Sequence, residues 1–167
     1  MPQPIIAQVH GIATAAGCQL VAMADLAVAD AETRFAVSGI NYGLFCSTPS
    51  VGLSRNMLRK QAMEMLLTGD LIDAVQAKEH GLINQVVQSE GLPQAAIDLA
   101  RKIMAKPEAA VRMGKQLFYS QLEVGIEQAY QMAGQTMACN MIDADALEGI
   151  SAFLQKRSPV WRSDGGS

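Results

Sequence analysis

The chain has 167 residues, half of them hydrophobic, and a formal net charge of −3 at pH 7. A chain of this size can bury one good core, so one domain is expected. The weak negative charge and the lack of a basic stripe with interleaved aromatic residues argue against a nucleic-acid partner. The sequence contains no apolar run of roughly eighteen residues, the length that predicts a membrane span, so no membrane partner is expected.

The cysteines and the first residues of the chain indicate in which cellular compartment the protein is expected. Cys18, Cys46 and Cys139 are far apart and form no C-x-x-C pair. This pattern indicates a reducing compartment and provides no disulfide or zinc framework, so no metal is expected. The opening residues Met-Pro-Gln-Pro have neither the charged nor the apolar region of a secretion signal. A cytoplasmic location is therefore expected.

Strands and helices are predicted to alternate in the first part of the chain. A β-branched apolar run predicts a buried strand over Pro4–Val9. After a stretch of small residues, Cys18–Ala24 is predicted to form a buried helix. Short strands are predicted over Leu26–Ala29 and Phe35–Val37, and a loop spans Ser38–Ser47.

The middle of the chain is predicted to contain short helices and one more strand. Thr48-Pro49 is a typical helix start, a cap followed by proline at the first helical position. A second short helix is predicted over Gln61–Leu67. Asp73 is predicted to cap a third helix, with Gly81 as the first residue beyond its end. A strand is predicted over Leu82–Val87.

The remainder of the chain is predicted to be helical. Apolar residues recur every three or four positions from Leu92 to Ile103 and from Ile126 to Met141. Asp143 or Asp145 is predicted to cap a terminal helix. The apolar stripes exceed what so small a sheet can cover, which indicates burial against other subunits. The sequence thus predicts an α/β chain with a helical C-terminal region.

The clearest candidate for chemistry is the small-residue stretch Ala15-Ala16-Gly17 ahead of the first helix. Small residues allow a ligand to approach the backbone closely. Free N–H groups at a helix start, together with the positive end of the helix dipole, can hold a developing oxyanion. His10 and His80 are isolated and are assigned structural roles. No serine lies in a G-x-S-x-G setting, so a hydrolase triad is not expected.

Several blocks follow one another along nearly the whole chain. They are PIIAQVHGIATAAGCQLVAMADLAVA from Pro4, MLLTGD from Met65, AKEHGL from Ala77 and EGISAFLQKRSP from Glu148. Their order resembles the crotonase superfamily, the enoyl-CoA hydratases and isomerases. The details ATAAGCQL, GLFCSTP and FLQKRSPVW most resemble the branch of enoyl-CoA hydratase domain-containing protein three.

The resemblance implies the C-terminal part of a crotonase-like ββα-spiral fold. Residues 1–90 are then expected to form a partial spiral core, and 91–167 a helical C-terminal trimerisation region within the same structural unit. The N-terminal part of the family pattern is absent from the sequence. A homotrimer or hexamer is the expected assembly.

The resemblance also implies a site for an acyl-CoA thioester. Family members polarise the thioester carbonyl with two backbone N–H groups. One aligns with Ala16, beside Gly17, and the other is expected from a loop upstream of this sequence. Hydration further needs a base for water and an acid for carbon. The family's two glutamate positions are Gln19 and Gly39 here, which are not competent for that role. Cys46 lies in the same loop as Gly39 and is a candidate substrate contact.

Three residues near the C-terminus are implied as neighbours of the CoA adenine and phosphates: Phe153, Lys156 and Arg157. Basic groups there would give a salt-dependent contribution to binding. The alternative for the two cations is a solvated basic face. Coenzyme A enters as part of the substrate, and no separate cofactor is expected.

Three functions remain open from the sequence. The first is an enzyme of acyl-CoA or fatty acid metabolism, a lyase or isomerase by family. The second is a non-catalytic acyl-CoA-binding protein, and the third is an oligomerising fragment without a complete active site. Gln19 and Gly39 argue against an efficient hydratase. The sequence therefore favours an enoyl-CoA hydratase/isomerase family protein with doubtful hydratase catalysis.

Overall fold

The computed structural model of the chain describes residues 1–162. The chain divides into two compact units. The strand unit is Ile5–Leu99, and the helical unit is Met1–Pro4 with Ala100–Ser167, of which residues 163–167 lie outside the described part. The expected division of the chain at residue 90 stays a prediction.

The strand unit alternates short strands with short helices. Its strands are β1 (Ile6–Val9), β2 (Ile12–Thr14), β3 (Leu26–Asp30), β4 (Arg34–Ala36), β5 (Ile72–Asp73) and β6 (Gln85–Val87). Its helices are α1 (Ala16–Met23), α2 (Ser47–Asn56), α3 (Arg59–Thr68) and α4 (Ala74–Glu79). Helix α5 (Leu92–Met104) begins in this unit. The predicted alternation of strands and helices is confirmed.

The strands of this unit form two three-stranded sheets. One has the order β1-β3-β6 with all pairs parallel, and the other has the order β2-β4-β5. In the second sheet β2 and β4 are parallel, whereas β4 and β5 are antiparallel. Val28, Ala29 and Phe35 are fully buried, as expected for short apolar strands covered on both faces.

The sequence pattern does not predict β2 and β5. Both pair with Phe35 of β4, which lies opposite Ala13 in one register and Ile72 in the other. These strands are so short that pairing with a buried neighbour, rather than intrinsic propensity, sets their conformation. Pairing with β4 therefore produces two strands that no local sequence pattern predicts.

Two predicted helix starts shift by two residues. Helix α1 begins at Ala16 rather than Cys18. Helix α2 begins at Ser47 with Cys46 as its cap residue, so the predicted cap at Thr48 is wrong. Helix α2 ends at Asn56, because Met57 is extended, with φ −122° and ψ 163°. The predicted cap of α4 is confirmed. The Asp73 carboxylate accepts the Gln76 N–H at 2.8 Å, and the Gln76 side chain accepts the Asp73 N–H in return.

The helical unit contains the rest of the secondary structure. After α5 it comprises α6 (Glu108–Gln121), α7 (Ile126–Met141) and α8 (Ala144–Leu154). Asp143 caps α8 by accepting the Asp145 N–H at 2.9 Å, as predicted. Beyond α8 the Trp161 ring packs beside Gly149, and its indole N–H donates to the Ala105 carbonyl at 3.1 Å. Among residues 1–162, no helix has the length and apolar character that crossing a bilayer requires.

Candidate functional site

The turn that opens α1 is strained at Ala15. This residue has φ 46° and ψ −116°, a conformation that costs a residue with a side chain about 1–3 kcal/mol. Its N–H donates to the Ala36 carbonyl of β4 at 3.0 Å, and its carbonyl accepts the Gln19 N–H at 3.0 Å. Strand β4 on one side and the first turn of α1 on the other therefore hold the turn in place.

The N–H groups just beyond this turn are available to a ligand. Those of Ala16 and Gly17 have no acceptor among residues 1–162. Ala16 is exposed and Gly17 half-buried. A Cβ built on Gly17 would meet nothing within 4 Å, so the space over this residue is open. With the dipole of α1 behind them, the two N–H groups can stabilise negative charge on a carbonyl oxygen.

The two positions implied as acid–base sites are Gln19 and Gly39. Gln19 lies on α1 and Gly39 follows β4, and the Ala15–Ala36 hydrogen bond joins the start of α1 to β4. Gln19 is on α1, half-buried, and its amide makes no hydrogen bond within the described part of the chain. Gly39 lies in a 3-10 turn three residues after Ala36. Neither position carries a group that can accept a proton at neutral pH. The arrangement can orient a water molecule and stabilise an oxyanion, but these two residues supply no base.

The loop after β4 brings Cys46 to Gly39. The Gly39 N–H donates to the Cys46 sulfur at 3.3 Å, and Cys46 is the cap residue of α2. The buried Cys18 thiol lies on α1, and its pKa is raised to about 12 by burial and by the Cys46 thiol. A thiol with so high a pKa is a poor nucleophile. Cys18 therefore packs the core rather than taking part in chemistry.

The carboxylates nearest in sequence to Gln19 and Gly39 are those of Asp25 and Glu32. The Asp25 carboxylate accepts the Ile5 N–H at 2.6 Å, next to the first pair of the β1–β3 ladder. The backbone N–H of Glu32 donates to the Asp30 carboxylate at 2.8 Å, within the turn after β3. Among the described residues, no group of three or more His, Cys, Asp or Glu side chains could hold a metal ion.

The residues implied as CoA neighbours differ in whether their side chains already bind other residues of the chain. The Arg157 guanidinium binds both oxygens of Glu148, at 2.5 and 2.8 Å, and also donates to the Gln155 side chain at 2.8 Å. Lys156 has φ 55° at the end of α8, a position usually taken by glycine. Phe153 is 82% exposed. Phe153 is thus open to a ligand, whereas Arg157 is largely occupied by protein partners.

The Glu148–Arg157 pair predicts a pH dependence of stability. The Arg157 guanidinium, and next the Val160 N–H, lower the pKa of Glu148 from 4.5 to about 2. A carboxylate whose pKa is lowered by folding stabilises the fold fully when the pH is above its pKa in the unfolded state. That contribution is lost as the pH falls through its pKa in the folded state. We expect Glu148→Gln to be less stable than the parent at neutral pH. This difference in stability should shrink as the pH is lowered from 4.5 to about 2.

Urea unfolding across this pH range measures the effect. The control is Glu127→Gln in the first turn of α7, where no ion pair involves the carboxylate within residues 1–162. The interpretation fails if Glu148→Gln unfolds at the same urea concentration as the parent at neutral pH.

Comparison with known families identifies the class of protein to which the chain belongs. The family model described as enoyl-CoA hydratase/isomerase matches residues 1–164. The chain therefore belongs to the enoyl-CoA hydratase/isomerase family, as the sequence blocks indicate. The crotonase fold predicted from those blocks is confirmed.

Individual relatives specify the branch. Enoyl-CoA hydratase domain-containing protein 3, mitochondrial, of Rattus norvegicus is 51% identical over 160 residues, covering 96% of this chain and 53% of the relative. A crystal structure of an enoyl-CoA hydratase from Mycobacterium smegmatis has a TM-score of 0.93 at 64% identity, covering 96% of this chain and 62% of that one. The crystal structure of human enoyl-CoA hydratase domain-containing protein 3 has a TM-score of 0.90 at 50% identity, covering 96% and 63%. The predicted branch is confirmed.

The names and lengths of these relatives correct one expectation. The chain spans about half the length of the curated relatives that it matches. The rat, mouse and human relatives are named as mitochondrial proteins, which contradicts the cytoplasmic location expected from the sequence. That expectation depended on the residues at the start of this chain.

Sequence reasoning misses two features of the site. Neither the strain at Ala15 nor the contact between Gly39 and Cys46 has a signal in residue spacing. The first depends on the hydrogen bond from Ala15 to β4, and the second on a loop folding back over seven residues. Only the GLFCSTP block, through its resemblance to one branch, marks the second region as unusual.

Proposed function

We propose that this chain forms the oxyanion-binding part of an acyl-CoA site without the acid–base pair that hydration needs. The observation that carries the proposal is the open start of α1, where the N–H groups of Ala16 and Gly17 have no acceptor within residues 1–162. A thioester oxygen fits such a position, because negative charge develops on it when the adjacent carbon is deprotonated or attacked. Family membership supports an acyl-CoA thioester as the ligand.

The chemistry open to this site is limited by its side chains. Gln19 can orient water through its amide, and Gly39 contributes only backbone groups. Coenzyme A would enter as part of the ligand, with no separate cofactor. The proposed role is therefore acyl-CoA binding, or a reaction that needs oxyanion stabilisation alone. Because acyl-CoA thioesters are intermediates of fatty acid metabolism, the proposal includes a role for the protein there.

Catalysis of that limited kind is a second candidate, and the strain at Ala15 favours it. Non-glycine residues in sparsely populated backbone regions cluster at functional sites, where the surrounding structure maintains them. Ala15 is held by hydrogen bonds of both its N–H and its carbonyl. A turn needed only for packing could use glycine without this cost.

Contacts to the CoA nucleotide are also proposed, for Phe153 and Lys156. The support is the exposure of Phe153 and the resemblance of FLQKRSP to the family's terminal helix. Arg157 contributes indirectly, because its pairing with Glu148 holds the segment that follows α8. A homotrimer or hexamer is proposed as the assembly, supported by the exposed apolar faces of α7 and α8.

The proposal predicts that a side chain at Gly17 blocks ligand binding without disturbing the fold. Gly17→Val places its side chain in open space over the free N–H groups. We expect at least about tenfold weaker binding of acetoacetyl-CoA, since a single lost hydrogen bond to a charged group is worth about 1.5–3 kcal/mol. Isothermal titration calorimetry measures the affinity, and urea unfolding checks that stability is retained.

The matched control is Gly114→Val, in α6, where a built Cβ also meets nothing within 4 Å. It should bind acetoacetyl-CoA as the parent does. Equal affinity of parent and Gly17→Val, or no binding by the parent at millimolar ligand, would overturn the proposal.

A further inference from the structure

The loop that follows β4 is closed at Gly39 by both of its backbone groups. After the 3-10 turn Ser38–Tyr42, Gly43 adopts φ 78° and reverses the chain. The Leu44 N–H then donates to the Gly39 carbonyl at 3.0 Å, and the Gly39 N–H donates to the Cys46 sulfur at 3.3 Å. Both backbone groups of Gly39 thus form hydrogen bonds with the residues that follow the turn.

This closure leaves no space for a side chain at position 39. A Cβ built on Gly39 would lie 2.7 Å from the Cys46 sulfur and 2.7 Å from the Leu44 carbonyl oxygen. Real Cβ atoms essentially never come within 3.0 Å of such neighbours. The Leu44 oxygen belongs to the backbone and cannot rotate away. Because the φ of Gly39 is not positive, the restriction is one of space rather than of backbone conformation.

The 3-10 turn is also held by the residue that ends α3. The Asn41 amide donates to the Gly69 carbonyl at 3.5 Å. A Cβ built on Gly69 would lie 2.8 Å from the Asn41 amide nitrogen and 2.9 Å from the Ile40 Cγ2. The end of α3 therefore packs directly against the turn. The turn is therefore fixed at two places, by Cys46 at Gly39 and by Gly69 at Ile40 and Asn41.

Cys46 is held by its own surroundings. Its carbonyl accepts the Ser50 N–H of α2 at 2.9 Å, and its side chain packs against the buried core of the strand unit. The backbone at Cys46 can shift only if the first turn of α2 unwinds. The thiol is therefore maintained next to Gly39 by the same residues that begin this helix.

We infer that Cys46 is a positioning residue: its thiol holds the Gly39 N–H and, with the Leu44 carbonyl, occupies the volume that a carboxylate side chain at position 39 would need. Position 39 therefore cannot supply a general base. The ligands suited to the site are then acyl thioesters whose handling needs no proton transfer to or from a side chain at position 39. The ligand class depends on the proposed function, whereas the role of Cys46 in the loop does not.

Amide hydrogen exchange at Gly39 tests the positioning role without any ligand. Cys46→Ala removes the acceptor, and we expect the Gly39 N–H to exchange about tenfold faster or more. Cys46→Ser keeps an acceptor and should retain most of the protection, which a purely space-filling role would not require. Unchanged exchange in Cys46→Ala would overturn the inference. Failure of acyl-CoA binding, in contrast, would overturn only the proposed function.

A double-mutant cycle tests the occupied volume. Gly39→Ala should raise the unfolding equilibrium constant about tenfold or more, as overpacking does. In the Cys46→Ala background the same change should cost measurably less, although the Leu44 carbonyl still opposes it. The control is Gly91→Ala, where a built Cβ meets nothing within 4 Å. An equal cost of Gly39→Ala in both backgrounds, or no cost at all, contradicts the inference.

Discussion

Crotonyl-CoA hydration by this chain is expected to stay well below about one turnover per second, the lower end of the usual range for enzymes. A positioned acid or base typically contributes about a hundredfold to ten-thousandfold. Gln19 and Gly39 supply neither group, and the two losses need not add independently. The N–H groups of Ala16 and Gly17 can stabilise the oxyanion, but they cannot deprotonate water. Loss of the enoyl thioester absorbance measures the rate.

Variants at the two glutamate positions sharpen this test. Gln19→Glu is compatible with the structure, because Gln19 is half-buried and its amide is unpaired within residues 1–162. It should not restore hydration, since the second carboxylate is still absent. Gly39→Glu should be destabilised by the Cys46 and Leu44 contacts. Turnover above about one per second by the parent would refute the prediction. Asp25→Asn and Glu32→Gln would then be the variants to examine first.

The chain is expected to sediment as a trimer or a multiple of it at micromolar concentration. One face of α7 presents apolar side chains that are 47–75% exposed: Ile126, Tyr130, Met137 and Met141. Helix α8 adds Leu147, Ile150 and Leu154, which are 43–75% exposed. Burying such surface releases roughly 25 cal/mol per Å². Contiguous patches of this kind are uncommon on monomers and mark interaction surfaces. Sedimentation velocity measures the mass.

Charged substitutions on the two helix faces provide the control for assembly. Tyr130→Asp and Leu154→Asp should shift the chain towards the monomer, because an unpaired carboxylate is costly to bury in an apolar interface. Leu71→Asp, at a comparably exposed leucine in the strand unit, should not. A stable parental monomer at micromolar concentration would contradict the prediction.

The helices could be predicted from the sequence because their signals are local. The apolar repeats of α5 and α7 lie within one segment of chain, and Asp73 and Asp143 cap the helices that follow them within three residues. The strands β2 and β5 could not be predicted, because their conformation depends on pairing with Phe35. Local patterns therefore account for the helical part of the fold better than for the sheets.

The candidate site was predictable only in outline, for a similar reason. Resemblance to a family identifies the positions of Ala16, Gln19 and Gly39, but it does not show what surrounds them. The packing of Cys46 on Gly39 depends on a loop closed by hydrogen bonds between residues five and seven positions apart. The binding of Arg157 to Glu148, nine residues earlier, also has no signature in charge or spacing. Whether a basic residue is free for a ligand depends on partners that only the folded chain brings close.

The strained turn at Ala15 has a consequence for engineering the protein to resist heat. Glycine would relax the turn, and the gain from removing about 1–3 kcal/mol of strain makes it an obvious choice. Glycine would also widen the range of conformations open to the peptide that presents the Ala16 N–H. At this one methyl group, a gain in thermal stability would therefore reduce the precision of the proposed oxyanion site. A stabilised version of this protein should seek its added stability elsewhere and leave that methyl group in place.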